Sequence, residues 1–244
     1  MTFAASVYVE EDALNDPSAC LAPTPLIGSD DPAIVAFAAR AVADAPTPVE
    51  RARRLYCAVR DEIRYDPYSI ELTPTGLSAG RCLAEGAGFC VTKAALFVAV
   101  ARAAGIPARI GFADVRNHLA TGRLRALMGT DTFCFHGYAD LFLDSRWVKA
   151  TPTFNIELCE RFRVRALDFD GRHDALLHAF DADGRRHMEY VNFRGVFADV
   201  PHAIIIPTFR ALYPGMFDGV RVKGRGDFAA EAGAERATLF DRNP

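Results

Sequence analysis

The segment GAGFC, residues 86–90, is followed by a run of apolar residues that continues to residue 104. Within that run only Thr92, Lys93 and Arg102 are polar. A helix that is apolar nearly all round belongs in the interior of a domain rather than on its surface. Its first turn, with unpaired backbone N–H groups and the positive end of the helix dipole, is therefore expected inside the fold.

Cys90 stands at the start of this predicted helix, and two roles compete for its thiol. Most buried cysteines are small hydrophobic packing residues. A helix N-terminus, however, lowers the pKa of a thiol and favours the thiolate, which is the reactive form of cysteine. Gly86 and Gly88 allow close backbone approach, as an oxyanion hole or a bound substrate strand requires. Gly88 and Phe89 are accordingly predicted to contact substrate if Cys90 is a nucleophile.

The composition narrows the classes of partner and compartment. The chain has 244 residues, a formal net charge of −3 and an isoelectric point near 6.1. Nucleic acids are bound by basic surfaces, so no nucleic-acid partner is expected. Because no apolar run reaches the ~20 residues of a membrane span and the N-terminus lacks a signal pattern, we expect a cytoplasmic protein with no membrane partner. The six scattered cysteines, at positions 20, 57, 82, 90, 134 and 159, are then predicted to be free thiols.

Apolar periodicity predicts helices in the first part of the chain and mainly strands in the second, an α+β arrangement. Helices are predicted to begin at Ser29 and Thr47, each with a proline close behind. A strand pair is predicted around a tight turn at Asp144 and Ser145. We expect one domain over residues 1–218 and a polar, peripheral tail over 219–244. The remaining expectations are loops at 66–80 and 116–132, short strands within 160–200 and a helix at 201–214.

A cysteine nucleophile also needs a base, and imidazole suits that task at neutral pH. His136 lies within a predicted strand, FCFHGYADLFL, beside a glycine that leaves room for a neighbour. Strand alternation places His136, Tyr138 and Asp140 on one face, which makes Tyr138 a candidate substrate contact. A lone histidine in a strand is more often structural, but the combination with Cys90 is more specific. The other histidines, at 118, 173, 178, 187 and 202, lie in polar segments, loops or near a helix start.

Together these residues resemble the core of the transglutaminase-like superfamily. The shared pattern consists of Tyr65-Asp66, GAGFC at 86–90, RAAGIPAR at 102–109, His136 and Trp147. The resemblance covers roughly residues 50–155. It implies a papain-like α+β fold in which a buried, Cys-bearing helix packs on an antiparallel β-sheet. It also implies that Cys90 is the nucleophile and His136 the base, acting on a peptide, protein or small amide substrate.

The chain departs from the family pattern at the residue that orients the histidine. The family usually carries an aspartate in a W-x-x-x-D-P-T stretch, whereas this chain reads WVKATPT, with Thr151 at that position. A threonine hydroxyl can accept the imidazole N–H, but it cannot offset the charge of an imidazolium. Asn155 is the favoured alternative, in a Cys-His-Asn arrangement, and Asp140 is a third candidate.

Two classes of function remain open at this point. The first is a cysteine enzyme that forms an acyl-thioester, with hydrolysis by a peptidase or amidase favoured over the amide-forming transfer of a transglutaminase. The second is a catalytically weak domain of the same fold that binds peptides or partner proteins. A zinc site from Cys82, Cys90, Cys134 and His136 is a minor alternative, since the spacing matches no usual zinc pattern. No metal or other cofactor is predicted.

Overall fold

The computed structural model describes residues 13–118, 120–177, 188–224 and 226–240. The helices are α1 (Pro32–Val42), α2 (Pro48–Glu62), α3 (Ala79–Glu85), α4 (Cys90–Ala103), α5 (Gly122–Met128), α6 (Ile156–Phe162), α7 (His202–Leu212) and α8 (Phe228–Phe240). The strands are β1 (Arg64–Tyr65), β2 (Ala87–Gly88), β3 (Ala108–Asn117), β4 (Thr132–Leu143), β5 (Arg146–Ala150), β6 (Met188–Phe197), β7 (Phe217–Asp218) and β8 (Arg221–Val222). The predicted α+β class is confirmed.

The main sheet is antiparallel and has four strands in the order β5-β4-β3-β6. β4 and β5 form the predicted hairpin, which turns at Asp144 and Ser145 with φ angles of 46° and 64°. Two consecutive residues with positive φ form a turn whose twist matches that of the flanking strands. Two short pairs complete the described sheets: β1 runs parallel to β2, and β7 runs antiparallel to β8.

α4 is the interior helix that the apolar run predicts. Its residues are buried from Cys90 to Arg102, and it packs on β4 with α1, α2 and α3 around it. Lys93 is fully buried, and its ammonium donates to the carbonyl oxygens of Arg60 (2.9 Å) and Ile63 (2.5 Å) at the end of α2. These carbonyls lack partners within their own helix, so a buried lysine can satisfy them. Burial lowers the pKa of Lys93 to about 7.

The predicted helix starts are partly right. Thr47 caps α2, since its hydroxyl accepts the backbone N–H of Glu50 at 3.2 Å. α1 is capped by Asp31 rather than by Ser29, and the Asp31 carboxylate accepts the N–H of Ala33 at 2.8 Å. The proline after Asp31 occupies the first helical position, which fixes the cap at the residue before it.

Two segments differ from the expectations, and a third agrees with them. The predicted loop at 116–132 contains α5, which begins at the Thr121 cap and ends at Gly129. Residues 160–200 hold the end of α6 and one long strand, β6, rather than several short strands, and 178–187 lie outside the described residues. The predicted helix at 201–214 is confirmed as α7. Within the described ranges, no helix combines the length and apolarity needed to cross a membrane.

The described part of the predicted peripheral tail, 219–244, includes α8, which packs on the rest of the domain. Phe228 and Ala232 are both only 2% exposed, and the Phe228 ring packs against Tyr65 and Tyr68 at centroid distances of 5.5 and 6.2 Å. Residues four apart on a helix share one face, so Phe228 and Ala232 give α8 a narrow apolar stripe. That stripe attaches α8 to the body of the domain.

Candidate active site

Cys90 lies where the interior helix α4 meets strand β4, and it is 8% exposed. The backbone N–H groups of Gly137, Val91 and Cys90 itself are within hydrogen-bonding reach of its sulfur and lower its pKa. Burial has the larger effect and raises the pKa of Cys90 to about 11. The expected depression of this pKa is therefore wrong, because the desolvation of the thiolate outweighs the N–H groups at the helix start.

Two glycines bring the backbone close to Cys90. A Cβ atom at position 137 would lie 3.0 Å from both the Cys90 carbonyl oxygen and the Val91 Cα. A Cβ atom at position 88 would lie 2.5 Å from Thr92 Oγ1, and that oxygen accepts the N–H of Phe89 at 3.1 Å. Gly137 thus allows β4 to rest on the first turn of α4. Close packing also explains Gly88 without a substrate, so its predicted substrate contact stays a prediction.

His136 directly precedes Gly137 on β4 and is 3% exposed. Burial lowers its pKa to about 4, so the imidazole is neutral at neutral pH. Its Nε2 is buried and has no hydrogen-bond partner in the part of the chain that the structure describes. A neutral imidazole with an unoccupied nitrogen can accept a proton.

A β-bulge precedes His136. The register between β3 and β4 shifts at Asp114, and Phe135 adopts a φ of 55°. The Asp114 carboxylate accepts the N–H of Phe135 at 3.2 Å and the Nε–H of Arg194 at 2.5 Å, while the Arg194 guanidinium lies 4.5 Å from the Phe135 ring centre. Bulges redirect the side chains that follow them and are frequent beside active sites. Simple strand alternation does not reveal this one.

Tyr190 on β6 is a site residue that the sequence analysis missed. Its ring lies 6.2 Å from that of His136 in an edge-on arrangement, and its hydroxyl accepts the N–H of Leu177 at 3.3 Å. Burial raises its pKa to about 12, and the nearby Cys90 sulfur adds to this increase. The Thr151 hydroxyl lies beside the phenol without a well-aligned hydrogen bond, and its proximity lowers the Tyr190 pKa. Tyr190 therefore lies beside Thr151 and His136, and Cys90 is near enough to affect its pKa.

The other two candidate orienting residues have different partners. The Asn155 carboxamide oxygen accepts the backbone N–H of Tyr65 at 3.2 Å. The Asp140 carboxylate accepts the Nε–H of Arg109 at 3.0 Å, and Arg109 stacks over Trp147. The Asn155 oxygen and Asp140 Oδ2 thus have other partners, while Asp140 Oδ1 is buried without a partner among the described residues. Thr151 is the candidate whose hydroxyl lies beside Tyr190, the neighbour of His136.

Tyr138 and Phe89, two of the predicted substrate contacts, lie in different surroundings. Tyr138 is 2% exposed, and its ring covers Gly111, where a Cβ atom would lie 2.2 Å from the ring. The exposed Phe193 packs against its edge at 6.3 Å. Tyr138 is therefore enclosed by the sheet, and a contact with substrate does not fit this arrangement. Phe89, by contrast, borders a cavity beside Cys90 and packs 6.4 Å from Phe209.

That cavity has a volume of about 30 Å³ and reaches the nucleophile candidate. α5 and α7 both supply side chains to its wall. Its lining consists of Tyr65, Pro67, Ile70, Phe89, Cys90, Leu124, Met128, Phe133, Cys134, Phe209, Tyr213 and Met216.

The other described histidines, at positions 118, 173 and 202, do not line the cavity at Cys90. His118 pairs with Glu189 at 3.2 Å and His173 with Asp170 at 2.7 Å. His178 and His187 lie outside the described residues. Among the residues that are described, no three histidine, cysteine or acidic side chains are grouped so that they could hold a metal ion, and this includes the four considered for zinc.

Comparison with known proteins identifies relatives of this arrangement. The family described as the transglutaminase-like superfamily matches residues 35–152. A candidate cysteine protease from Cytophaga hutchinsonii is similar in structure, with 18% sequence identity and a TM-score of 0.48, over 78% of this chain and 50% of that one. A candidate protease from Parabacteroides distasonis has 18% identity and a TM-score of 0.36, over 57% of this chain and 26% of that one. This chain thus spans 50% of the length of the first of these two proteins and 26% of the second. No curated protein matches the sequence.

Proposed function

Because residues 35–152 of this chain match the transglutaminase-like superfamily, we propose that the protein is a cysteine peptidase or amidase. Cys90 is the nucleophile and His136 the base. The observation that carries this proposal is the position of Cys90 at the first turn of a buried helix, against the strand that bears a neutral histidine. Cys90 and His136 thus belong to two elements, α4 and β4, that pack directly on each other.

The reaction proceeds through a thioester. The Cys90 sulfur attacks the amide carbonyl carbon while the thiol proton passes to His136. Collapse of the tetrahedral intermediate breaks the C–N bond, and the amine leaves with the proton from His136. Water then attacks the thioester and gives its proton to His136, and the carboxylic acid is released as Cys90 regains its proton.

The buried environment favours a resting pair in which both groups are neutral. With a Cys90 pKa of about 11 and a His136 pKa of about 4, the thiol keeps its proton at neutral pH. The thiolate must therefore form during attack, with the proton passing to the imidazole. The N–H groups of Val91 and Gly137 stabilise negative charge on the sulfur, and that of Cys90 is placed to serve the oxyanion as well.

Thr151 and Tyr190 are the positioning residues of the proposed site. Thr151 follows β5 on the side of the sheet that carries His136, because Ala150 pairs with Ala139 and the faces alternate. Both side chains are neutral, so they hold the ring without stabilising an imidazolium. Loss of the proton from His136 to the leaving amine is correspondingly easy.

Water is the favoured acceptor of the acyl group. None of the described residues that line the cavity at Cys90 is acidic, so no carboxylate among them attracts a protonated amine. A transglutaminase-type transfer to an amine remains the alternative acceptor reaction. The high pKa of Cys90 and the neutral residue at position 151 favour the second candidate function, a catalytically weak domain that binds peptides or partner proteins.

A library of amide substrates, incubated with and without a primary amine, tests the proposal through the masses of the products. Wild type is expected to yield carboxylic acids, and Cys90→Ala to yield none. Cys82→Ala is the matched control, because Cys82 is also buried with a pKa of about 11, and it is expected to keep activity. New amide bonds would favour acyl transfer. Binding without turnover in wild type would favour the binding domain.

A further inference from the structure

The cavity beside Cys90 is built from apolar side chains of separate parts of the fold. Leu124 and Met128 come from α5, Phe209 from α7, Ile70 from the segment after β1, and Met216 from the segment after α7. None of the described residues that line it carries a formal charge. Its chemistry therefore differs from that of the mixed-charge clefts on the surface.

The cavity also offers little free hydrogen-bonding capacity. Two tyrosines line it. The hydroxyl of Tyr213, which directly follows α7, accepts the N–H of Cys134 at 2.7 Å and donates to the Thr132 carbonyl oxygen at 3.0 Å, so the Tyr65 hydroxyl is the other hydroxyl in the lining. A charged or carboxamide side chain that entered would lose its water and gain few matched partners. An apolar side chain that entered would lose no hydrogen bonds to water.

The dimensions add a second constraint. At about 30 Å³ the cavity holds roughly one water molecule, so a side chain can enter only if the walls move. Two of the walls are methionines, Met128 and Met216, whose unbranched chains adopt several rotamers at low cost. Slender aliphatic groups therefore fit more readily than bulky ones.

We propose that this cavity is the slot for the acyl portion of the substrate, and that it selects an uncharged aliphatic side chain of the leucine or methionine type. The inference rests on the proposed function, since it takes Cys90 as the attacking group. Leu124 and Met128 are the specificity-determining residues.

Four electrophiles test the slot on the full chain: the chloromethyl ketones of N-acetyl-leucine, N-acetyl-glutamate and N-acetyl-lysine, and chloroacetamide, which has no side chain. In each, the Cys90 sulfur forms a C–S bond and chloride leaves. The rate is measured by peptide mass mapping of Cys90. The leucine probe is expected to react at least tenfold faster than the glutamate and lysine probes after correction with a free-thiol reference.

Substitutions at Met128 and at a control position test which residue determines the selectivity among the probes. Met128→Lys is expected to slow the leucine probe and to speed the glutamate probe, changing their ratio at least fivefold. Leu212→Lys is the matched control, because Leu212 lies on α7 but is 46% exposed and does not line the cavity. If Met128→Lys fails to fold, Met128→Gln keeps the side-chain length and should slow the leucine probe.

The possible outcomes distinguish a failure of the proposed slot from a failure of the proposed nucleophile. Modification of Cys90 at equal rates by all three amino-acid probes, or an unchanged ratio in a folded Met128 variant, overturns the slot and leaves the proposed function standing. Failure of all four probes to modify Cys90 in the folded protein overturns the proposed nucleophile and with it the slot.

Discussion

His136 functions, in this account, without a carboxylate to stabilise its charged form. Burial lowers its pKa to about 4, and no acidic side chain among the described residues offsets that effect. An aspartate at position 151 would place a negative charge beside the imidazole and favour the imidazolium. Thr151 leaves the ring neutral, which suits a base that takes a proton from a thiol with a pKa of about 11 only during attack.

Replacing Thr151 by valine is expected to slow acylation of Cys90 roughly tenfold or more, a part of the 10²–10⁴-fold that a positioned base contributes. The hydroxyl beside Tyr190 would be lost while the shape of the side chain is kept. Thr153→Val is the matched control, since Thr153 is equally buried and its hydroxyl has no partner in the described part of the chain. Acylation rates of the two variants, followed by mass spectrometry, should differ. Equal rates would remove Thr151 from the site.

The burial of His136 also predicts a pH dependence of stability. Its folded pKa of about 4 lies below the ordinary 6.5, so the unfolded chain binds the proton more readily between these values. The folded state is therefore expected to lose about 3 kcal/mol as the pH falls from above 6.5 to 4, at 1.36 kcal/mol per unit of pKa. Urea unfolding of wild type and His136→Gln between pH 4 and 7.5 measures this contribution. Parallel pH profiles would show that the histidine is not buried as described.

At the level of elements, the contact of α4 with the strands around it depends on missing side chains. A Cβ at Gly88 would meet Cys82 Sγ at 2.6 Å as well as Thr92 Oγ1, and both atoms belong to packed helices. One extra methyl group in such a place forces neighbouring residues to shift. The start of α4, and therefore Cys90, would move with them.

Gly88→Ala is expected to lower the free energy of unfolding by about 1–3 kcal/mol through this overpacking. Gly233→Ala is the matched control, because a Cβ there meets no atom within 4 Å and the residue lies inside α8. That substitution should stabilise the protein by up to about 1 kcal/mol through helix propensity. Chemical denaturation of both variants measures the two changes in the free energy of unfolding, which should have opposite signs. A Gly88→Ala variant that is as stable as wild type would contradict the packing described here.

α5 closes the cavity over Cys90 and is fastened to α8 by Glu231. The Glu231 carboxylate accepts from Thr121 Oγ1 at 3.2 Å, lies 3.5 Å from Arg123 Nε, and accepts from the Tyr68 hydroxyl at 2.5 Å. One side chain thus joins the start of α5, the segment after β1 and the C-terminal helix.

Glu231→Gln is expected to speed alkylation of Cys90 by iodoacetamide several-fold, because weaker fastening lets α5 move away from the cavity more often. Alkylation of Cys57, the exposed cysteine among the six, serves as an internal reference. Glu157→Gln, on the exposed face of α6, is the control for charge removal alone. A Cys90 rate that is unchanged relative to Cys57 would show that α5 does not limit access.

For the whole molecule, the sequence predicts the central helix well and its surroundings less well. The apolar run, the Thr47 cap and the Asp144-Ser145 turn are local signals, and each one predicts its feature correctly. α5 is missed because it is only seven residues long, and the docking of α8 is missed because its alanine-rich sequence has few large apolar side chains. Their few buried side chains, Leu124 and Phe228 among them, find partners far away in the chain.

The candidate site shows the same contrast between features that local sequence predicts and features that depend on contacts distant in the chain. Cys90 and His136 can be chosen from the sequence because their residue types and settings suggest their chemistry. Tyr190 cannot, since its place beside His136 depends on the pairing of β6 with β3 and on a bulge in β4. Asn155 is favoured by amide chemistry alone, whereas the fold assigns its oxygen to Tyr65. Long-range pairing decides which polar groups meet, and composition does not reveal it.

Covalent acylation of Cys90 is the event on which the proposed function depends. Wild type is mixed with an activated acyl ester, quenched in acid at successive times, and examined by intact mass and peptide mapping. The proposed function predicts one acyl adduct on Cys90 that forms and then decays by hydrolysis, and that forms at least about 100-fold more slowly in His136→Ala. An adduct on another cysteine, or one that forms equally fast without His136, would contradict it.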